Sequence, residues 1–217
     1  IQESSRLATL SSNILNLSKV ENMCIVPEQK KFDLAEQIRR CILVLEPKWS
    51  KKQLDLQLDL QELSFKGTED LLSQLWINLI DNAIKFSEPG SSVFISLSGN
   101  QKQIVFQLQD HGCGISEEDK KRVFDRFYRA DKSRNDKSHY GLGLSIAVEL
   151  VKLHHGKLTV KDTDGGGSTF VLQLPVWDSQ RDGDVGSRKK KRGSGKWTLY
   201  VRAVILLQSI MRARGPV

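Results

Sequence analysis

Cysteine, proline and long apolar runs are all scarce in this chain of 217 residues. The three cysteines, Cys24, Cys41 and Cys113, are odd in number and show no C-x-x-C spacing. That excludes a disulfide framework and a cysteine-held zinc site, and it fits a reducing, cytoplasmic compartment. No apolar run approaches the roughly 18 residues that a membrane-spanning helix needs. The opening IQESSRLATL also lacks the charged-then-apolar layout of a signal peptide. With no initiating Met, the sequence is expected to be a piece of a longer protein. Charge of one sign is missing from the body as well. Of the net +7, residues 178–217 supply ten Lys/Arg against three Asp, leaving 23 basic and 23 acidic residues in 1–177. A neutral body argues against nucleic-acid binding through a basic surface.

What is present suffices for one globular domain with an appendage. Leu7, Leu10, Ile14 and Leu17 fall at 3-4-3 spacing, which suits either a helix that pairs with another helix or an ordinary surface helix. The stretch around Pro27 reads as a linker. Asp33 is a candidate N-cap and Pro47 a stop for a helix over 34–46. LDLQLDL alternates leucines with polar residues from Leu54 to Leu60, the period of a half-buried strand. VFISL, IVFQL and TFVLQL repeat that alternation, and KLTV adds a fifth candidate strand. Helices are expected over 69–87 and 142–155, giving an α+β domain with helices on one face of a sheet. After Pro175 the composition changes to a basic tail with an RKKKR run, expected to be disordered. GSGKWT, inside that tail, lacks the first glycine of a phosphate loop and has Trp197 where Ser/Thr should follow the lysine, so it reads as coincidence.

Four local features occur in order between residues 68 and 145. On the helix over 69–87 the apolar face is Leu72, Leu75, Trp76, Leu79, Ile80 and Ala83. Asn78, Asn82 and Lys85 sit at i, i+4 and i+7 on another stripe. Asparagine is a mediocre helix former, so two in one stripe suit either a solvated face or amide oxygens for a hard cation with an ammonium for phosphate. Next, DHGCGI places Asp110 at a strand end, with Gly112 and Gly114 able to let backbone approach a flat ring or a phosphate, although the pattern also describes a plain turn. Ser116 and Asp119 resemble a capping box opening a short helix, EEDKKRVFDRF, on which Phe124 and Phe127 share a face. A polar run of about a dozen residues, the length of a lid, then leads to GLGLSI, a glycine-rich entry to a helix N-terminus of the kind that holds anions.

In this order NLIDNAIKF, DHGCGI, FDRFYRAD and GLGLSI resemble the N, G1, F and G2 boxes of the ATP-binding catalytic domain of bacterial two-component sensor histidine kinases. That domain belongs to the superfamily shared with gyrase and heat-shock chaperone ATPases. GGGSTFVLQLP resembles its closing hairpin, and the likeness covers residues 1–176. The resemblance implies a two-layer α/β sandwich, the Bergerat fold, with a mixed, mostly antiparallel sheet. It implies a catalytic ATP-binding domain over 25–176, part of a dimerisation and phosphotransfer helix over 1–24, and a basic tail over 177–217. ATP and Mg²⁺ are the implied cofactors. Asp110 would bind the adenine amino group with Gly112, Gly114 and Ile115 beside it, Phe86 would cover the ring and Thr169 would close that side. Asn78 and Asn82 would ligate Mg²⁺, and Lys85 would meet phosphate. Gly141, Leu142, Gly143 and Leu144 would contact the phosphates, with Arg129 in the lid near the γ-phosphate, Phe124 and Phe127 anchoring the lid, and Tyr140, with His139, adding lid contacts at the nucleotide.

The implied reaction is transfer of the ATP γ-phosphoryl group to a histidine on a dimerisation domain, for relay to a response-regulator receiver domain. The intact protein is expected to dimerise through its dimerisation helices, and membrane attachment would come only through upstream segments. His111, His139, His154 and His155 all lie outside the H-[ED]-x-x-[TN] context of a phosphoacceptor, so the accepting histidine is expected elsewhere. SHYGLGL departs from the small residues that commonly precede the G2 box. Two other classes fit the same boxes, an ATP hydrolase and a non-catalytic, nucleotide-dependent interaction module. Hydrolases of the superfamily carry a Glu general base where this chain has Asn78.

Overall fold

The computed structural model describes residues 29–130 and 140–176, together with Ser11, Leu15 and Ser18 as helical positions. The segment expected to be a dimerisation helix, the expected linker at Pro27, His139 and the tail therefore lie largely or wholly outside the described residues.

Strand β1 (Lys30–Asp33) runs straight into helix α1 (Leu34–Val44), because the Asp33 carboxylate accepts from the Glu36 amide at 2.9 Å and caps the first turn. Pro47 is not the stop. The chain turns at Leu45 and restarts as α2 (Glu46–Lys51), with the proline in the first turn, where its missing N–H costs nothing. Next come β2 (Asp55–Leu60), β3 (Ser64–Gly67), the long helix α3 (Glu69–Phe86), and strands β4 (Ser92–Gly99) and β5 (Gln103–Gln109). A short α4 (Glu117–Lys120), helix α5 (Gly143–Leu153), and strands β6 (Lys157–Asp162) and β7 (Ser168–Pro175) complete the order.

Five strands form one sheet in the order β2-β4-β5-β7-β6, parallel between β2 and β4 and antiparallel elsewhere. A parallel pair needs a crossover, and α3 lies within it. The period-2 alternation places Val93, Ile95 and Leu97 of β4 on the buried face, with Ile104, Phe106 and Leu108 of β5 and Phe170, Leu172 and Leu174 of β7. Register confirms a common layer, since Leu97 faces Phe106 and Phe106 faces Leu172. The helices α1, α3 and α5 pack on this face, and Leu72, Leu75, Trp76, Leu79, Ile80 and Ala83 are fully buried between them and the sheet. One strand pair has no counterpart in the sequence expectations: β1 and β3 make a separate antiparallel ribbon, so Lys30 and Lys31, beside the expected linker, belong to a strand.

Both ends of α3 are fixed from a distance. Gln37 on α1 donates to the Glu69 carbonyl at 2.7 Å and accepts from the Trp76 indole at 2.8 Å. At the other end the Lys52 ammonium donates to the carbonyls of Lys85 and Ser87 at 2.5 and 2.9 Å, a cation on the negative end of the helix dipole.

His154 ends α5 with its Nδ1 donating to the Leu150 carbonyl at 2.8 Å, and burial pulls its pKa down from the ordinary 6.5. Folding thus favours the neutral ring, so below pH 6.5 the unfolded chain takes up the proton more readily. This contribution is intact above pH 6.5 and is lost as pH falls toward the lowered folded value. The thermal midpoint is expected to fall between about pH 7 and about pH 5, with a shallower slope in His154→Gln. Equal slopes for the two proteins would refute the assignment.

Candidate functional site

One cavity of about 990 Å³ opens between α3, the β5–α4 turn, the start of α5 and the β6–β7 turn. It takes its shape from three places where backbone approaches backbone. A Cβ at Gly112 would lie 2.2 Å from the Phe86 carbonyl oxygen, so only glycine lets the turn after β5 close against the end of α3. A Cβ at Gly167 would stand 2.1 Å from the Asp110 carbonyl, and its φ of +107° independently favours glycine. Gly141, with φ +69°, sits against Tyr128 in the same way.

At one end of the cavity Asp110 is 3% exposed. Its Oδ1 accepts from the amides of Gly112 at 3.0 Å and Ser168 at 3.2 Å. No protein donor to the second oxygen is recorded among the described residues, and the side chain lines the cavity. Burial pushes the carboxyl pKa up, and the two backbone N–H groups pull it partly back. A buried carboxylate with one uncommitted oxygen is an acceptor suited to a ligand amino group. Gly114, at φ +69°, and Ile115 line the wall beside it.

Away from Asp110, α3 presents Asn78, Asn82 and Lys85 to the cavity, while Phe86, whose carbonyl meets the Gly112 turn, lines it nearer Asp110. The Lys85 ammonium lies 4.5 Å from the Phe86 ring centroid. Asn78 Nδ2 is buried with no partner among the described residues, a polar atom whose desolvation a ligand can offset. Across from it Tyr140, Gly141, Leu142, Gly143 and Leu144 line the cavity at the start of α5. Among the described residues no side chain caps that helix, and a Cβ on Gly143 would meet only the Asn78 amide, at 3.9 Å. Uncapped N–H groups facing two amides and an ammonium make a polar end able to take an anion together with a hard cation. Among the described residues no group of three or more His, Cys, Asp or Glu side chains could hold a metal ion by itself, so such a cation would need the amides and the ligand's own oxygens.

Arg129 lines the cavity, whereas four other expected site residues do not. Gly112 acts through the close approach just described. Phe124 is half-buried against the core. Phe127 is 58% exposed with φ +61°, because the expected helix stops at Lys120 and the chain turns before reaching it. The two phenylalanines therefore share no helical face. Thr169 lies behind the wall, its hydroxyl 2.8 Å from that of Thr163, and Thr163 is the residue that reaches the cavity. Sequence reasoning also missed Lys48, Asp81, Tyr128 and Cys113 as lining residues. Asp81 shares the helical stripe of Asn78 and Asn82 and was discoverable by spacing; Lys48 comes from a separate element and was not. Cys113 is exposed, while burial pushes the Cys41 thiol up to about 11 and keeps it neutral.

The family model described as histidine kinase-, DNA gyrase B- and HSP90-like ATPase matches residues 67–178. The heme sensor protein HssS of Staphylococcus saprophyticus is 36% identical over 167 residues, covering 77% of this chain and 36% of that protein. The chain thus spans little more than a third of the curated relatives it matches. Among solved structures, the mycobacterial sensor histidine kinase MprB superposes with a TM-score of 0.61 at 26% identity, covering 68% of this chain and 97% of that one. The histidine kinase ThkA, solved in complex with the response regulator protein TrrA, shares the fold with a TM-score of 0.68 at 22% identity, covering 82% of this chain and 50% of that one. The family match takes in more than half of the residues and every element that lines the cavity from α3 to β7, and the chain belongs to the histidine kinase-, DNA gyrase B- and HSP90-like ATPase family.

Proposed function

We propose that this chain is the ATP-binding catalytic unit of a sensor histidine kinase, passing the γ-phosphoryl group of ATP to a histidine on a dimerisation domain. The observation that carries this reading is Asp110: a buried carboxylate with one oxygen satisfied by backbone and the other on a cavity whose opposite end is built for phosphates. In this assignment Asp110 accepts from the adenine amino group, with Gly114 and Ile115 beside the ring. Phe86 covers the base, and Thr163 backed by Thr169 closes the wall. Lys85, Arg129 and the uncapped start of α5 meet the phosphates, and Tyr140 flanks them. Phosphoryl transfer needs little covalent work from protein groups, so positioning and charge neutralisation supply most of the rate. Asn78 and Asn82 would hold Mg²⁺, which when bound neutralises phosphate charge. The buried Asn78 Nδ2, which has no partner among the described residues, fits that role, since turning the amide over presents its oxygen instead of its nitrogen.

Hydrolysis is the poorer reading, because position 78 carries an amide that cannot take a proton from water at neutral pH. The proposal extends to the whole protein: dimerisation through helices that include residues 1–24, membrane attachment through other segments, and relay to a response-regulator receiver domain. The complex of ThkA with TrrA, whose kinase shares this fold, supports that last step. Calorimetry with a non-hydrolysable ATP analogue is expected to show binding strengthened by Mg²⁺. Radiolabelled ATP should label a histidine-bearing dimerisation domain added in trans. No analogue binding would refute the nucleotide site, and steady phosphate release without an acceptor would favour the hydrolase.

A further inference from the structure

The polar stripe of α3 carries one charged side chain that these roles leave unused. Asp81 immediately precedes Asn82 and, at about 100° per residue, lies roughly 60° from Asn78, on the cavity side of the helix. Its carboxylate lines the cavity and meets the Lys48 ammonium at 2.5 Å. Lys48 belongs to α2, also lines the cavity, and is 57% exposed against 26% for Asp81. We propose that Asp81 and Lys48 form a charge-exchange pair at the phosphate end, which sets how strongly nucleotide binding depends on a divalent cation. The inference rests on the nucleotide reading of the cavity.

Three features carry it. Sites for small hard cations usually combine one or two carboxylates with neutral oxygens and ligand phosphates, whereas Asn78 and Asn82 supply neutral amides only. Asp81 is the carboxylate on that stripe, next in sequence to one amide and three residues from the other. Its counter-ion comes from a separate element through a long, half-exposed side chain, so the pair can open without disturbing the core. Without a divalent cation an unmasked Asp81 repels polyphosphate, and Lys48 cancels that repulsion. With the cation present, Asp81 attracts it directly or through its water shell, and Lys48 is released toward phosphate or solvent. Lys85, one turn beyond Asp81, keeps the stripe cationic in both states.

A plain surface ion pair linking α2 to α3 predicts something different. Both single variants would break the same bridge and change binding in the same direction. Charge exchange gives opposite signs in one measured ratio, the analogue's Kd in EDTA divided by its Kd in saturating Mg²⁺. Asp81→Asn should lower that ratio about fivefold, and Lys48→Met should raise it about threefold to fivefold, as expected for one screened charge within about 10 Å of the phosphates. The double variant should lie between the two. Thermal melts confirm that the variants are folded. Shifts of equal sign, or no shift in the ratio, overturn the proposal. Analogue binding that Asp110→Asn weakens, with a ratio that neither Asp81 nor Lys48 moves, refutes the charge exchange alone; no binding by the unmodified chain in either buffer refutes the nucleotide reading with it.

Discussion

Asp110→Asn is expected to weaken Mg²⁺-supported binding of an ATP analogue by about ten- to hundredfold and to leave the fold intact. A hydrogen bond to a charged acceptor is worth about 1.5 to 3 kcal/mol, which is that range of affinity. Size is not at issue, because asparagine and aspartate have nearly the same shape. The backbone decides which way the new amide turns. Oδ1 of Asp110 is held by the amides of Gly112 and Ser168 at 3.0 and 3.2 Å, so in the variant the amide oxygen must face those donors. The NH₂ group is then left on the cavity, where a ligand amino group meets a donor instead of an acceptor. A base with a carbonyl at that position, as in an inosine nucleotide, should lose far less affinity or gain some. Stability should hold or rise, since burial already disfavours the native carboxylate charge. Titration of both nucleotides against both proteins reads this directly. Equal ATP-analogue affinities would mean that Asp110 does not touch the base.

Much of the scaffold was legible because its signals are local. Alternation from Leu54 to Leu60 and in VFISL, IVFQL and TFVLQL, together with the candidate KLTV, placed all five strands of the main sheet, with ends shifted by a residue or two. The apolar face of α3 emerged from spacing, and Asp33 capped as its side-chain chemistry dictates. The failures share a cause in contacts distant along the chain. The β1–β3 ribbon is four residues wide and carries lysines, so it has too little pattern to register; Phe32 edge-on to Phe65 holds it together. The helix expected through Phe127 ends early, and the Tyr128 hydroxyl returns to the Asp119 carboxylate at 2.5 Å. Thr169 and Thr163 exchange places at the wall because the intervening triple glycine folds the turn back over Asp110, a geometry that composition alone does not specify. Asn78, Asn82 and Lys85 were visible as a stripe, but their facing partners at Gly141 to Leu144 emerge only when α5 packs on α3.

Trp76→Ala should be the most damaging single change to stability, costing about 3–5 kcal/mol by the usual measure of large-to-small core substitutions. Trp76 is fully buried, its ring centroid 4.8 Å from that of Phe106 on β5, so truncation opens a cavity at the contact between helix layer and sheet. The indole also donates to Gln37 Oε1, whose amide holds the Glu69 carbonyl and the Ser73 hydroxyl. Its loss leaves a buried acceptor unpaired, a further penalty of about 1–3 kcal/mol; Trp76→Phe keeps a ring and loses the N–H with only part of the indole volume, so it should cost less than Trp76→Ala. On a domain whose whole stability is on the order of 5–15 kcal/mol, urea unfolding should shift to much lower midpoints for the alanine variant and moderately for the phenylalanine variant. Nucleotide affinity per folded molecule should change little, because Trp76 and Asn78 are about 200° apart around the helix and face opposite layers. A Trp76→Ala protein that unfolded with the parent would show that the sheet contact does not fix α3. A folded variant that lost nucleotide binding would show instead that this contact sets the rotation of the polar stripe, and that the core face and the cavity face of α3 are mechanically one element.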